Sequence, residues 1–171
     1  MYDTIVIGAG QAGISIGYYL KQSDQKFIIL DKSNEVGESW KDRYDSLVLF
    51  TSRMYSSLPG MHLEGEKHSF PSKNEIVAYL KKYVDRFEMP IQLRTEVISV
   101  LKLKNHFLIK TNGEEYQTKN LVIASGPFHT PNIPKGLSGN INQLHSSQYK
   151  NSKQLVHGNV LVVGGGIVVL K

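Results

Sequence analysis

The sequence predicts an α/β fold: a central parallel sheet flanked by helices, with a small antiparallel β-meander as one crossover. Three observations predict it. Short apolar, largely β-branched runs at Thr4 to Ile7, Lys26 to Leu30 and Leu121 to Ala124 lack polar alternation, so they read as strands buried on both faces, as parallel strands are. Between the first two, small and apolar residues (Ala12, Ile16, Tyr19, Leu20) recur at helical spacing over residues 11 to 22. Strand, helix and strand thus fit within about thirty residues, the size of a βαβ unit. Finally, Val97 to Leu103, Phe107 to Thr111 and Glu115 to Thr118 are separated by Asn105 and by Asn112-Gly113, which is the pattern of an antiparallel meander.

The remaining elements follow in chain order. Asp31 to Pro59 is rich in Ser, Asp, Tyr, Arg and Gly without a sustained period, and reads as a long functional loop with short helical pieces. Ser72 to Phe87 is an amphipathic helix with Ile76, Tyr79, Leu80 and Tyr83 on its apolar stripe. Ser72 and Glu75 have the spacing of a capping box. Ile91 to Leu93 reads as a strand, and Leu121 to Ala124 as a return to the buried sheet. Pro127, Pro131 and Pro134 mark a linker, and Leu155 to Val163 ends in one more strand-like run.

Composition limits the function classes. The chain has 171 residues, 40% hydrophobic and 20% charged, which is an ordinary globular domain. The net charge of +5 permits an anionic partner. The lysines are scattered, however, and the densest group (Lys102, Lys104, Lys110, Lys119) alternates with apolar residues as on solvated strand faces, so no nucleic-acid partner is expected. With no cysteine there is no thiolate or disulfide chemistry, which fits a cytoplasmic location. The N-terminus is not a signal peptide, and the longest apolar stretch, 159 to 170, is too short and glycine-rich to span a bilayer, so no membrane partner is expected.

The first strand runs into GAGQAG at residues 8 to 13, a Gly-x-Gly-x-x-Gly pattern. Gly8 permits a tight turn, Gly10 lets backbone approach a pyrophosphate, and Gly13 lets the helix pack closely on the sheet. The helix start, with Gln11 and Ala12, offers free amides and a positive dipole end to phosphates. Asp31 ends the second strand at the distance expected of a ribose-binding carboxylate. These features make the fold a Rossmann-like FAD/NAD(P)-binding one, without separating FAD from NAD.

A family resemblance separates them. The loop VGESWKDRYDSLVLFTS, residues 36 to 52, resembles the flavin-side loop of class B flavin-dependent monooxygenases, through Gly37, Trp40, Arg43, Tyr44, Leu47, Leu49 and Thr51. That family includes flavin-containing, Baeyer–Villiger and plant indole-pyruvate monooxygenases. YSSLPG at 55 to 60, FPSKNEIVAYLKKY at 70 to 83 and LVIASGPFHTPNIP at 121 to 134 also match, the last with Ser125 where the family has Thr. The resemblance runs from residue 1 to about 166 and implies FAD as cofactor.

The resemblance assigns to the cofactor Gly8, Gly10, Gln11, Ala12, Gly13, Asp31, Lys32, Ser39, Trp40, Arg43, Thr51, Ser52, Tyr55, Val97, Ala124, Ser125 and Gly126. Trp40 would give a flat apolar face, or serve as a plain core residue. Arg43 would meet the pyrophosphate, or pair on the surface with Asp42 or Asp45. Thr51 and Ser52 would stand near the isoalloxazine, with Ser52 where flavin-containing monooxygenases often carry Asn. Ala124 to Gly126 would bring backbone to the cofactor, or simply end a strand. His145 and Tyr149 fit the second half of the family's Phe-x-Gly-x-x-x-His fingerprint, whereas Gly139 and Ile141 replace its first half.

In the family a second dinucleotide-binding unit takes NADPH. VLVVGGG at 160 to 166 resembles its first strand and turn, but Val169 stands at the third-glycine position. The expected organisation is therefore an FAD-binding domain over 1–155 and the start of a truncated second unit over 156–171. The implied reaction is NADPH- and O₂-dependent oxygenation of a small molecule through a flavin C4a-(hydro)peroxide. Three alternatives stay open: an FAD-binding remnant without independent turnover, a half-protein completed by a missing C-terminal half or by oligomerisation, and a disulfide reductase, against which the lack of cysteine argues.

Overall fold

In the computed structural model, residues 1–126, 130–133 and 141–163 are described. Six strands form one sheet, in the order β3-β2-β1-β6-β5-β4. Strands β1 (Tyr2–Ile7), β2 (Phe27–Leu30), β3 (Ile91–Gln92) and the second half of β6 (Glu115–Ile123) run parallel. Strands β4 (Val97–Lys102) and β5 (Phe107–Thr111) and the first half of β6 are antiparallel. The expected α/β class, parallel sheet and meander crossover are all present.

Helix α1 (Gln11–Gln22) joins β1 to β2, as its spacing predicted. Its buried face differs from the expected one. Gly13, Ile14 and Gly17 face the sheet, while Ala12 and Tyr19 are exposed. The reason is closeness: a Cβ at Gly17 would lie 2.9 Å from Ile29 Cδ1, so the fully buried Ile14 is flanked by glycines at the contact. The 31 to 59 loop carries two four-residue helices, α2 (Glu38–Lys41) and α3 (Arg53–Ser56). Helix α4 (Lys73–Arg86) starts at Ser72, whose hydroxyl accepts from the Glu75 amide while the Glu75 carboxylate accepts from the Ser72 amide. This satisfies two amides at the helix start reciprocally.

Two expected strands, Glu115 to Thr118 and Leu121 to Ala124, are one. Lys119 and Asn120 look like a polar break in the sequence, but both bond to β1: Lys119 Nζ donates to Asp3 Oδ1 at 2.8 Å and Asn120 Nδ2 to the Asp3 carbonyl at 3.0 Å. Nor is the second half fully buried. Leu121 and Val122 are half-buried and Ile123 is 67% exposed, because only β1 pairs with this half among the described residues. Residues 160–163 form no strand, since no described strand lies beside them; residues 164–166 of the same run lie outside the described residues.

The core lies on both sheet faces. Val6, Ile14, Ile29, Ile76, Tyr79, Leu80 and Tyr83 fill the space between the sheet and helices α1 and α4. Ile5 and Leu30 point the other way and meet Ile109 and Tyr116 of the meander, which covers that face. Each such apolar side chain stabilises the fold by roughly 1.5–3 kcal/mol. This leaves the end of the parallel sheet where β1 runs into Gly8 free for a site. Among the described residues, no helix is long and apolar enough to cross a membrane.

Candidate cofactor site

The glycine loop is built by close approach. Gly8 has φ +106°, and its amide donates to the Leu30 carbonyl at 2.8 Å, so the chain leaves β1 while still held by β2. A Cβ on Gly8 would lie 2.4 Å from the Ala124 carbonyl oxygen, and one on Gly13 would lie 1.9 Å from the Gly8 carbonyl oxygen. Both positions are closed to any side chain. Gly10 is the opposite case, with no atom of the described residues within 4 Å of an added Cβ. It is also the N-cap of α1, where no side chain caps the helix and no acidic residue lies in the first turn. The amide end of α1 thus faces open space, which is what a pyrophosphate requires.

Asp31 closes the loop from the side. Its Oδ2 accepts from the Ala9 amide at 2.5 Å and its Oδ1 from the Ser33 amide at 2.7 Å. Each carboxylate oxygen can accept a second bond, so capacity remains for ribose hydroxyls. The sequence predicts a ribose-binding role for Asp31 but gives no sign of its bond to Ala9, which depends on how β2 returns beside β1. Ala124 and Ser125 lie against the glycine loop: the Ala124 amide donates to the Ile7 carbonyl at 2.8 Å, and Gly126 follows with φ +81°.

A cavity of about 280 Å³ adjoins this end of α1. Gln11, Trp40, Thr51 and Tyr55 of the expected set line it. Trp40 Nε1 donates to Gln11 Oε1 at 3.1 Å, which joins the tryptophan to the first turn of α1. Thr51 and Ser56 hydroxyls lie 2.7 Å apart. Apolar walls come from Leu49, Leu58, Ile76, Tyr79 and Leu80, while Phe50 and Tyr55 stand exposed at the mouth. The α4 wall was missed as a site feature, although its residues were legible as that helix's apolar stripe. Tyr79 fixes it: its hydroxyl donates to the Met61 carbonyl at 2.5 Å and accepts from the Leu58 amide at 2.7 Å. Burial pushes the Tyr79 phenol up, so it stays protonated and able to donate.

Other expected residues are not gathered here. Ser52 is buried as the N-cap of α3, where its carbonyl accepts from the Tyr55 and Ser56 amides, and it does not line the cavity. Lys32, Ser39 and Arg43 are exposed. Val97 opens β4 and packs with the Ile5–Leu30 cluster under the sheet. His145 is half-buried, its ring nitrogen 2.8 Å from the Ser147 hydroxyl, and the Tyr149 ring lies tilted against that of Tyr44, centroids 6.4 Å apart. Gly139 and Val169 lie outside the described residues.

Comparison with known proteins bears on this site. The chain is 90% identical over 169 residues to the protein named uncharacterized oxidoreductase CzcO of Bacillus subtilis (strain 168), covering 97% of this chain and 49% of that protein. It is 35% identical to the probable indole-3-pyruvate monooxygenase YUCCA10 of Arabidopsis thaliana, covering 95% of this chain and 45% of that protein. The structure resembles the Q193R H194T mutant of a flavin monooxygenase from Stenotrophomonas maltophilia, with a TM-score of 0.82 and 30% identity over 87% of this chain and 46% of the other. The chain therefore spans about half the length of the curated relatives it matches, and the resemblance to the N-terminal half of flavin monooxygenases holds in both sequence and fold. The family model described as pyridine nucleotide-disulphide oxidoreductase matches residues 5–166, so the chain belongs to that oxidoreductase family.

Proposed function

We propose that this chain is the FAD-binding part of a flavin monooxygenase-like oxidoreductase that uses NADPH and O₂ to oxygenate a small molecule. The observation that carries the reading is the open space at Gly10, framed by the uncapped start of α1, the Asp31 carboxylate and the Gly8–Ala124 contact, with an apolar cavity beside it. The flavin monooxygenase neighbours support FAD.

In this reading the chain's residues bind, orient and exclude water. The amides at the start of α1 take the pyrophosphate, and Asp31 takes ribose hydroxyls on its spare lone pairs. Trp40 and the α4 wall shield the flavin ring from solvent, and Thr51 offers it a hydroxyl. A bound flavin supplies the redox chemistry, for which the protein provides placement and a dry environment. The division into an FAD-binding segment, 1–155, and the start of an NADPH-type unit, 156–171, belongs to the same proposal. So does a cytoplasmic setting.

A second reading, an FAD binder without its own turnover, is favoured by Val169 at the third-glycine position of the second motif. The test is spectroscopic. The purified chain is mixed with FAD and desalted, and flavin absorbance is recorded. Retained absorbance is expected; a colourless protein with native circular dichroism would overturn the FAD reading. Bleaching on addition of NADPH under anaerobic conditions then favours the oxygenase reading over the simple binder.

A further inference from the structure

Lys73 is a buried charge that the cofactor site leaves unexplained. It is only 7% exposed and opens helix α4, the end of a helix where a cation is disfavoured. A buried ammonium needs acceptors for its protons. Lys73 Nζ finds them on one turn: the Arg43 carbonyl at 2.6 Å, the Lys41 carbonyl at 3.1 Å and Asp45 Oδ1 at 3.5 Å. That turn directly follows Trp40.

The same turn has a second set of partners far along the chain. Asp45 Oδ2 accepts from Asn151 Nδ2 at 2.7 Å, and the Asp45 amide donates to the Lys150 carbonyl at 2.7 Å. Lys150 Nζ reaches the Asp42 carbonyl, and the Tyr149 ring packs on Tyr44 at 6.4 Å. Asn151 and the neighbouring Lys73 hold the Asp45 carboxyl below its usual range, as expected for a carboxylate that both contact. Asp45 is thus gripped by Lys73 on one side and by residues 150 and 151 on the other.

We propose that Lys73, Asp45 and Asn151 form a latch that sets the position of the Trp40 turn at the cofactor cavity according to whether the segment 149–151 is seated. These are positioning residues, acting on the cavity through Trp40 and its bond to Gln11. Residues 149–151 precede the second glycine motif at 164–166, so the latch lies on the path between the two dinucleotide motifs. Its consequence for cofactor retention rests on the FAD reading above; its effect on the Trp40 turn does not.

Trp40 is the one tryptophan in the chain, so its fluorescence reports the turn directly. Lys73→Met and Asn151→Ala are compared with the unsubstituted chain by acrylamide quenching of Trp40 without FAD, and then by FAD retention. Both variants are expected to raise the quenching constant about twofold, and the double variant to be no worse than the more affected single one, because the groups act as one unit. Lys73→Arg should restore the parent value, and FAD retention should fall about fivefold in the two single variants. Should Lys73→Met fail to fold, Asn151→Ala, at the periphery, decides the matter. Folded variants with parental quenching would overturn the latch, even if their melting points fall. A parent chain that holds no FAD would overturn the FAD reading instead, and quenching would still decide the latch.

Discussion

At Gly13 an added Cβ would sit 1.9 Å from the Gly8 carbonyl oxygen, whereas at Gly10 it would meet nothing within 4 Å. The same substitution should therefore fail in different ways. Gly13→Ala forces backbone apart and should destabilise the fold by about 1–3 kcal/mol, visible as a lowered thermal midpoint by circular dichroism. Gly10→Ala should melt like the parent yet, on the proposed FAD reading, hold FAD about tenfold more weakly, because the methyl group would enter the space that reading gives to phosphate. Equal melting losses in both variants would remove Gly10 from the site. The close approach at Gly8 and Gly13 was legible in the sequence because the motif's spacing encodes it. The Ala9–Asp31 bond was not, since it is a contact between two strands' ends. Ser52 is a similar case: its neighbour Thr51 lines the cavity, whereas Ser52 itself is buried at the start of α3.

Helix α4 is the element most fully legible in advance, from Ser72 to Phe87, because periodicity and capping residues agree. Its cap also carries a pH dependence. The Ser72 amide, the Arg53 guanidinium and the Ser72 hydroxyl hold the Glu75 carboxyl down to about 2, from an ordinary 4.5. A carboxyl with a depressed folded value stabilises the fold fully above its unfolded value and loses that contribution as pH falls through the folded one. The melting difference between the parent and Glu75→Gln should thus be constant from neutral pH down to about 4.5 and shrink between there and about 2. A difference independent of pH over that window would show that the ionised carboxylate contributes nothing. The short helices α2 and α3 were foreseen only as pieces within a loop. Four residues carry too little period to be read, and tertiary contacts fix their ends.

At the scale of the molecule, one meander covers one face of the parallel sheet while helices cover the other. Ile109, fully buried, meets Ile5 and Leu30 across that interface. Ile109→Ala should cost about 2–5 kcal/mol and raise hydrogen exchange in both β5 and β1. Faster exchange confined to β5 would mean that the meander does not hold the sheet. The architecture was legible because apolar runs and turn residues specify strands and their order. The fusion of two expected strands into β6 was not, because Lys119 and Asn120 are polar for the sake of Asp3, a residue at the other end of the chain.

That long nine-residue strand β6 also dictates the order in which the molecule can be finished. Asp3 meets Lys119 across 116 residues of sequence, and Gly8 meets Ala124. The glycine loop is synthesised more than a hundred residues before Ala124, at the end of the strand that lays its floor. Nascent chains must therefore carry an unfinished glycine loop until β6 has been made. Closing so distant a pair is slow, and the exposed strand edges invite wrong partners meanwhile. A ligand that binds only the completed loop would then act as a late clamp, favouring chains in which β1 and β6 have found each other.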